Sequence, residues 1–510
     1  MRNTGLLVVF FLLPLFGIAQ VKYPAEVASV LAKSGNNRRE LEKAIDFFTK
    51  KGDALQLRAL YFLVANMSSH ASWNYYWADG NNRRVSFNEL DYADFASSVR
   101  AFEAIRKKTP NIHPQPFEYN DADSIKADLL IDNIERAFRA WQKPWAKNIS
   151  FADFCEYILP YRISVEPLEN WRGVYERRFS WVADSTGAKD LDAALGNLVS
   201  DRSQWFFNTY RVTDELRKEP LPRLGALQLL LRQKGACEDI ADLQVFVLRS
   251  QGIPATVDAI PYWAVSSGSH YLNVIFNPRL GPVPYEPGRK FNSNYRLPRE
   301  PGKVIRLTYA TQKNTVAQAE LPENIPPGFL RTMNYKDVTK EYWETQDVHV
   351  PLFKTGVPCK TVYACVLNTL DWKPIWWAPV RKDSAIFTNM SKGAVYQPMY
   401  YIKGKWQPAG NPVAVGYKHS MILRADTVHL HTVHLAQQEK YLVYRPHNNY
   451  KLYYWDSRWK FIAAKKAPAG AQELVFEKVP ENALLLLLPQ YSQHKERPFI
   501  ITDDGERVWW

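Results

Sequence analysis

One cysteine lies where a thiol can act as a nucleophile. Cys237 follows a glycine turn at Gly235, and apolar residues at helical spacing come after it until Gly252 and Pro254 provide a stop. The pattern therefore predicts a helix that begins at Cys237. Unpaired backbone N–H groups and the positive end of the helix dipole stabilise a thiolate there and can bind an oxyanion.

A nucleophilic role for this thiol requires a basic partner, because nearby carboxylates raise the pKa of a thiol. The acidic neighbours are Glu238, Asp239 and Asp242. The nearest downstream imidazole, His270, begins a predicted strand, and Glu286 comes at the end of the next strand. A hairpin would bring the carboxylate beside the ring, which predicts a Cys237, His270 and Glu286 arrangement for nucleophilic catalysis.

The segment from Gly235 to Ala255 resembles the core motif of the transglutaminase-like superfamily. The residues that carry the resemblance are Gly235, Cys237, Asp239, Ala241, Leu248, Arg249, Gly252, Ile253, Pro254 and Ala255. With the His270 strand and the acid-bearing strand, the match extends from near Gly196 to Gly288. It implies a papain-like α+β fold, in which the cysteine begins a helix packed on an antiparallel sheet. It also implies Cys237 as nucleophile, His270 as base and Glu286 as orienting acid.

Some members of the arrangement have alternatives. Leu272 stands where the family commonly has an aromatic residue, and Glu286 stands where it usually has aspartate, so Asn277 or Asp258 could orient His270 instead. The oxyanion hole would combine the backbone N–H of Cys237 with a second donor. The candidate second donors are Gln204, Trp205, Gln228 and Gln233.

The elements around this core change character along the chain. Apolar residues recur at helical spacing in residues 20–195, which predicts a helical N-terminal region. After residue 300, short alternating runs broken by proline, glycine and asparagine predict strands and hairpins. The interpretation is an α+β protein with a papain-like core over 196–300 and β-sandwich domains over 301–430 and 431–510.

The first residues and the composition address location and partners. A charged start, an apolar run from Leu6 to Phe16 and small residues up to Ala19 predict a signal peptide over residues 1–19, and so a periplasmic or extracellular protein. A mean hydropathy of -0.36 and the absence of another long apolar run argue against an integral membrane span. Without Arg2 of the signal peptide, the formal net charge of +13 becomes +12. In an exported protein this charge either favours an anionic cell-surface polymer or membrane over nucleic acid, or only keeps the protein soluble.

The remaining cysteines, histidines and tryptophans offer weaker signals. Four cysteines are too few for a disulfide scaffold, although Cys359 and Cys365 could pair if they lie on adjacent strands. Three imidazoles at His429, His431 and His434 invite a metal site, but strand alternation separates them, so neither a metal nor another cofactor is predicted. The 17 tryptophans favour sandwich cores over a sugar-stacking surface.

These observations support two functional hypotheses. The first is an exported cysteine enzyme that attacks an amide of a peptide, glycopeptide or cell-surface polymer and forms a thioester, with hydrolysis favoured over crosslinking. The second is a scaffold with a vestigial papain-like core, whose C-terminal sandwiches bind a surface glycan.

Overall fold

The computed structural model describes residues 23–181, 207–208, 223–287, 294–356, 358–438, 442–502 and 505–510. The predicted signal peptide, Gln204 and Trp205 lie outside these ranges. Helices alternate with several antiparallel sheets, which confirms the α+β class.

The N-terminal region is largely helical, as predicted. Its helices are α1 (Ala25–Lys33), α2 (Arg38–Lys51), α3 (Ala54–Asn66), α4 (Phe95–Lys108), α5 (Asp121–Ser124), α6 (Ala127–Trp141), α7 (Phe151–Tyr157) and α8 (Arg172–Arg178). Each longer helix buries one apolar stripe, such as Leu41, Ile45 and Phe48 in α2. Asp53 starts α3 by accepting hydrogen bonds from two backbone N–H groups of its first turn.

This region also contains a small sheet that the helical interpretation did not include. Strands β1 (Ala71–Ala78), β2 (Arg84–Val85) and β3 (His113–Asn120) form an antiparallel sheet in the order β2-β1-β3. Helix α4 covers one face, where Phe102 packs on Trp77 with ring centroids 4.4 Å apart. Pro114 and Pro116 obscure β3 in the sequence, and they are tolerated because β3 is an edge strand.

The middle of the chain forms a five-stranded antiparallel sheet, the central sheet, with the order β10-β9-β6-β7-β8. The elements are β4 (Phe207–Asn208), α9 (Ala226–Arg232), β5 (Lys234–Gly235), α10 (Cys237–Ser250), β6 (Ala255–Ile260), β7 (His270–Asn277), β8 (Gly281–Tyr285), β9 (Ile305–Leu307), α11 (Val316–Ala319), β10 (Tyr335–Asp337) and α12 (Thr339–Tyr342). Helix α10 packs on β6 and β7. Two strands of this sheet, β9 and β10, lie beyond residue 300, where the sequence predicts the core to end. Each has only three residues, so the sequence shows little alternation by which to detect it.

The helical region and α10 share one hydrophobic core, which runs from Val27 of α1 to Tyr309 beyond β9. Two buried arginines also connect the helical region to α10 through hydrogen bonds. Arg249, near the end of α10, donates to the carbonyl oxygens of Arg162 and Tyr157 at 2.7 and 3.1 Å. Arg172 of α8 donates in return to the carbonyl oxygen of Arg249 at 3.1 Å.

The C-terminal part consists of strands, as predicted. The strands are β11 (Thr345–Pro351), β12 (Thr361–Asn368), β13 (Asp371–Pro379), β14 (Ser384–Ser391), β15 (Ala394–Ile402), β16 (Lys405–Pro408), β17 (Val413–Val415), β18 (Ser420–Ile422), β19 (Asp426–Ala436), β20 (Asn449–Trp455), β21 (Trp459–Lys466), β22 (Glu473–Glu481), β23 (Leu485–Pro489), β24 (Phe499–Ile501) and β25 (Arg507–Trp509). Among the described residues, three hydrophobic clusters involve these strands, and β19 crosses the boundary predicted at residue 430. Trp372 packs on Trp455, with ring centroids 5.2 Å apart, so these tryptophans join the two β-rich parts.

Candidate active site

Cys237 is the first residue of α10, as the glycine turn predicts. The backbone N–H of Ala236 donates to Oδ2 of Asp239 at 2.9 Å, so this carboxylate stabilises the start of the helix. A Cβ atom at Gly235 would overlap the Asp239 side chain, which explains the glycine at that position. The local sequence therefore fixes both the helix start and the place of the thiol.

The environment of the Cys237 thiol favours the protonated form. Burial, and then the charge of Glu238, raise its pKa to about 12. The thiol lies 3.5 Å from Oε2 of Glu238, toward which it can donate a hydrogen bond. Because the helix start does not outweigh these effects, attack by this sulfur requires a base that removes its proton.

His270 and Glu286 form a hydrogen-bonded pair, as the hairpin interpretation predicts. Nε2 of His270 lies 3.0 Å from Oε2 of Glu286, and the Tyr295 hydroxyl donates to the same oxygen at 3.0 Å. The pairing of β7 with β8 places Asn273 opposite Tyr285, so Glu286 follows directly at the end of β8.

The alternative orienting residues have other roles. Asp258 accepts two hydrogen bonds from Arg306, at 2.8 and 2.7 Å, and one from Tyr342 at 2.6 Å. Oδ1 of Asn277 accepts the backbone N–H groups of the turn that follows β7. Of the three candidates, Glu286 is the one whose carboxylate lies within hydrogen-bond distance of the imidazole.

The thiol and the imidazole lie toward different faces of the central sheet. Asn273 donates to the carbonyl oxygen of Ala241 in α10 at 2.8 Å, so the odd-numbered positions of β7 face this helix. His270 points to the opposite face, because successive side chains of a strand alternate, and its ring lies parallel to Trp263, with centroids 5.8 Å apart. Among the described residues, no hydrogen bond joins Cys237 to His270.

A tyrosine and an arginine that sequence reasoning missed lie on the thiol side, together with Asp242. The charge of Cys237 contributes to the pKa of Tyr271, which burial raises to about 12. The Arg223 guanidinium lies 5.2 Å from the centre of the Tyr271 ring and donates to Asp242 at 2.8 Å. Burial still raises the pKa of Asp242 to about 7. Asp242, about one and a half helical turns after Cys237, is the member of this cluster that the sequence indicates. Arg223 belongs to no sequence motif.

Gln228, one of the proposed oxyanion donors, makes its hydrogen bonds to other residues. The amide nitrogen of Gln228 donates to Glu89 at 2.6 Å, and its amide oxygen accepts the backbone N–H of Gly225 at 2.8 Å. Gln233 ends α9 in a left-handed conformation, with φ of 52°. Gln204 and Trp205 lie outside the described residues, so the choice of the second oxyanion donor stays a prediction.

Two histidines of β19, His429 and His434, each contact a different carboxylate. Nδ1 of His429 lies 2.8 Å from Asp426, and Nδ1 of His434 lies 3.3 Å from Glu473. Across the residues that the structure covers, no group of three or more histidine, cysteine or acidic side chains could hold a metal ion.

Cys359 and Cys365 are both described and are not joined by a disulfide bond, and the condition set for their pairing, adjacent strands, is not met. Cys365 lies in β12, and Cys359 precedes the same strand instead of lying on its neighbour. Six residues of extended chain span about 20 Å, far more than the roughly 7 Å between Cα atoms that a disulfide permits.

Comparisons with known proteins show distant structural likeness. No protein-family model and no curated protein matches the chain. Among solved structures, the chain is similar to a transglutaminase from red sea bream at 12% identity, over 85% of this chain and 76% of the other, with a TM-score of 0.19. In the described part of the chain, no helix is both long and apolar enough to span a membrane.

Proposed function

We propose that this protein is an exported cysteine enzyme of the transglutaminase-like class, which attacks an amide bond through Cys237, His270 and Glu286. The observation that carries the proposal is the 3.0 Å contact between His270 and Glu286, on a hairpin next to a helix that begins at Cys237. A carboxylate-paired imidazole and a thiol at a helix start are the groups that acyl-transfer chemistry uses.

The pair sets the direction of proton transfer. When Nε2–H of His270 donates to Glu286, Nδ1 is the unprotonated nitrogen that can accept a proton. Cys237 Sγ attacks the amide carbonyl carbon while its proton moves to Nδ1, and the same proton then passes to the leaving nitrogen. The resulting thioester is hydrolysed by water. Substrate binding must bring the thiol and the imidazole together in this reaction.

The substrate class follows from the predicted location. A signal peptide and a net charge of +13 favour peptide, glycopeptide or cell-surface polymer amides outside the cytoplasm. Water is the abundant acceptor there, so hydrolysis is favoured over transfer to an amine.

A non-catalytic scaffold is the second candidate, and two observations favour it. The Cys237 thiol has a pKa raised to about 12, and within the described residues no hydrogen bond links it to His270. In this alternative the core only supports the C-terminal sandwiches, which would bind a surface glycan.

The two candidates are distinguished by amide hydrolysis, measured as amine release from a library of N-blocked peptides and peptidoglycan fragments. For the enzyme, Cys237→Ala abolishes release, and His270→Ala lowers it by about 10²- to 10⁴-fold, the contribution expected of a general base. Cys359→Ala serves as the control, because it removes a second half-buried thiol away from the helix start. Release that persists in Cys237→Ala contradicts the enzyme.

Alkylation by iodoacetamide gives a second comparison that needs no substrate. An enzyme predicts that a productive peptide protects Cys237 from alkylation and leaves Cys359 unprotected. A scaffold predicts slow, unprotected alkylation at both positions, together with glycan binding that Cys237→Ala leaves unchanged.

A further inference from the structure

A cavity of about 420 Å³ lies in the N-terminal region, and we call it the β1 cleft. It is bounded by the sheet β2-β1-β3, the segment 86–91, the loop 167–169 and α9. Its lining combines tyrosine rings, amides and carboxylates, represented by Asn74, Tyr76, Asn88, Tyr119, Glu169 and Gln228. Such a mixture of flat rings and convergent polar groups is typical of a small-molecule site.

Glu169 is the unusual group of the cleft. Its Oε2 accepts the backbone N–H of Leu227 at 2.8 Å, and its carboxyl group lies so close to Gly225 that any Cβ there would overlap it. Burial, with smaller contributions from Glu166 and Glu89, raises its pKa to about 7. The carboxyl group is thus held at the start of α9, where its hydrogen-bond partner is a backbone N–H group and not a side-chain cation.

The other buried carboxylate of the cleft has a different environment. Glu89 accepts hydrogen bonds from Arg232 at 2.8 and 2.7 Å and from Gln228 at 2.6 Å. Across the described ranges, Glu169 has no comparable ion pair. Buried carboxylates are normally paired with a cation, because an isolated buried charge is costly.

We propose that the β1 cleft binds a ligand that carries a primary ammonium group, with Glu169 as its counter-ion and the tyrosine rings beside it. A cation is favoured over a neutral sugar because a hydroxyl group cannot neutralise Glu169. Tyr76 already lies 5.2 Å from the guanidinium of Arg84, so a ring of this wall accepts a cation on its face. The site is independent of Cys237 and goes beyond the proposed amide chemistry.

Charged and titratable groups on every neighbouring element shape the pH dependence. Asp91 and Arg84 line the cleft, as does Glu89, which is paired with Arg232. Glu166 lies in the preceding loop, and Tyr175 lies on α8. A primary ammonium stays protonated from pH 6 to 8, while Glu169 loses its proton near pH 7. Affinity should therefore rise with pH by about tenfold across this range, following the ionised fraction of Glu169.

The test is calorimetric titration of the full chain with benzylamine, its neutral isostere benzyl alcohol, and glucose. We expect benzylamine to bind at least about tenfold more tightly than benzyl alcohol, as one ion pair in a partly buried site predicts. Glu169→Gln keeps the side-chain shape and the Leu227 contact, and it should remove this preference. Glu26→Gln, at an exposed position of α1, is the matched control and should retain it.

Several results would overturn the proposal. These are the failure of benzylamine to bind, equal binding of benzyl alcohol, an unchanged preference in Glu169→Gln, and binding of glucose alone, which would indicate a sugar site. The comparison of benzylamine with benzyl alcohol uses the unaltered protein, so it decides even if Glu169→Gln does not fold. Because Cys237→Ala leaves the cleft intact, benzylamine binding by that variant separates this proposal from the amide chemistry.

Discussion

On the face of the central sheet that packs against α10, the side chains are mostly apolar, whereas the opposite face carries ion pairs and acid–base groups. Val257, Ile275 and Tyr285 on the first face join the core shared with the N-terminal helices. The second face holds the pair of Asp258 with Arg306. It also holds His270 with its carboxylate partner.

The difference shows how the proposed chemistry is divided. The thiol lies on the helix side, where burial keeps it protonated, and the proposed base lies on the other side, where Glu286 contacts an imidazole that is mostly buried. Catalysis would thus depend on the edge of the sheet, near the start of β7, where the two faces meet. Substitutions on each face can therefore separate structural from chemical contributions.

The largest effect is expected for Asp258→Ala on the charged face. The substitution removes one of the two carboxylates that pair with the buried Arg306 guanidinium. The other, Glu341, stays at 2.8 Å. Removing one member of a buried pair costs about 3–5 kcal/mol, measured as the free energy of unfolding in urea.

Asp371→Ala provides the matched control, because Asp371 pairs with Lys373 at 3.2 Å on the surface. Its cost should stay below about 1 kcal/mol. Equal costs at the two positions would show that the charged face is not specially stabilised by its ion pair.

A smaller effect is expected for Asn273→Ala on the helix face. The substitution removes the hydrogen bond to the Ala241 carbonyl oxygen, which anchors α10 on the sheet, and should cost about 1–3 kcal/mol. Asn448→Ala, which removes an exposed side-chain contact to a backbone oxygen at 3.2 Å, should cost less than about 0.5 kcal/mol. Thermal and urea unfolding of both variants measure the contrast, and a cost at Asn273 no larger than at Asn448 argues against the anchor.

The smallest effect is expected for Glu238→Gln beside the thiol. Because the carboxylate raises the pKa of Cys237, its neutralisation lowers that pKa and enlarges the thiolate fraction at pH 8. Alkylation of Cys237 by iodoacetamide should become about threefold faster, as followed by mass spectrometry. Cys359 in the same molecule is the internal reference. An equal increase in its alkylation rate would mean that the substitution destabilises the whole fold and does not act on the pKa of Cys237.

Features set by local signals were predictable from the sequence. The helix start at Cys237 follows from a glycine turn and a helical stop, and the contact of His270 with Glu286 follows from a short hairpin. The small N-terminal sheet was not predictable, because its third strand carries two prolines. The short strands β9 and β10 gave no alternation to detect.

The face of the sheet on which His270 lies could not be predicted from the sequence either. Most of β7 is buried on both faces, so its residues show none of the alternation that distinguishes an inward from an outward side. Only the long-range contact of Asn273 with α10 fixes the faces. The same limit applies to Glu169, whose carboxyl position depends on Gly225, distant in sequence.

The exchange of hydrogen bonds between Arg172, Arg249 and the N-terminal carbonyls has a consequence for folding. A fragment that begins at α9 would expose the apolar face of α10 and leave Arg249 without two of its acceptors, Tyr157 and Arg162. The helical region and the central sheet should therefore melt in one cooperative transition, and a fragment truncated at α9 should aggregate instead of folding.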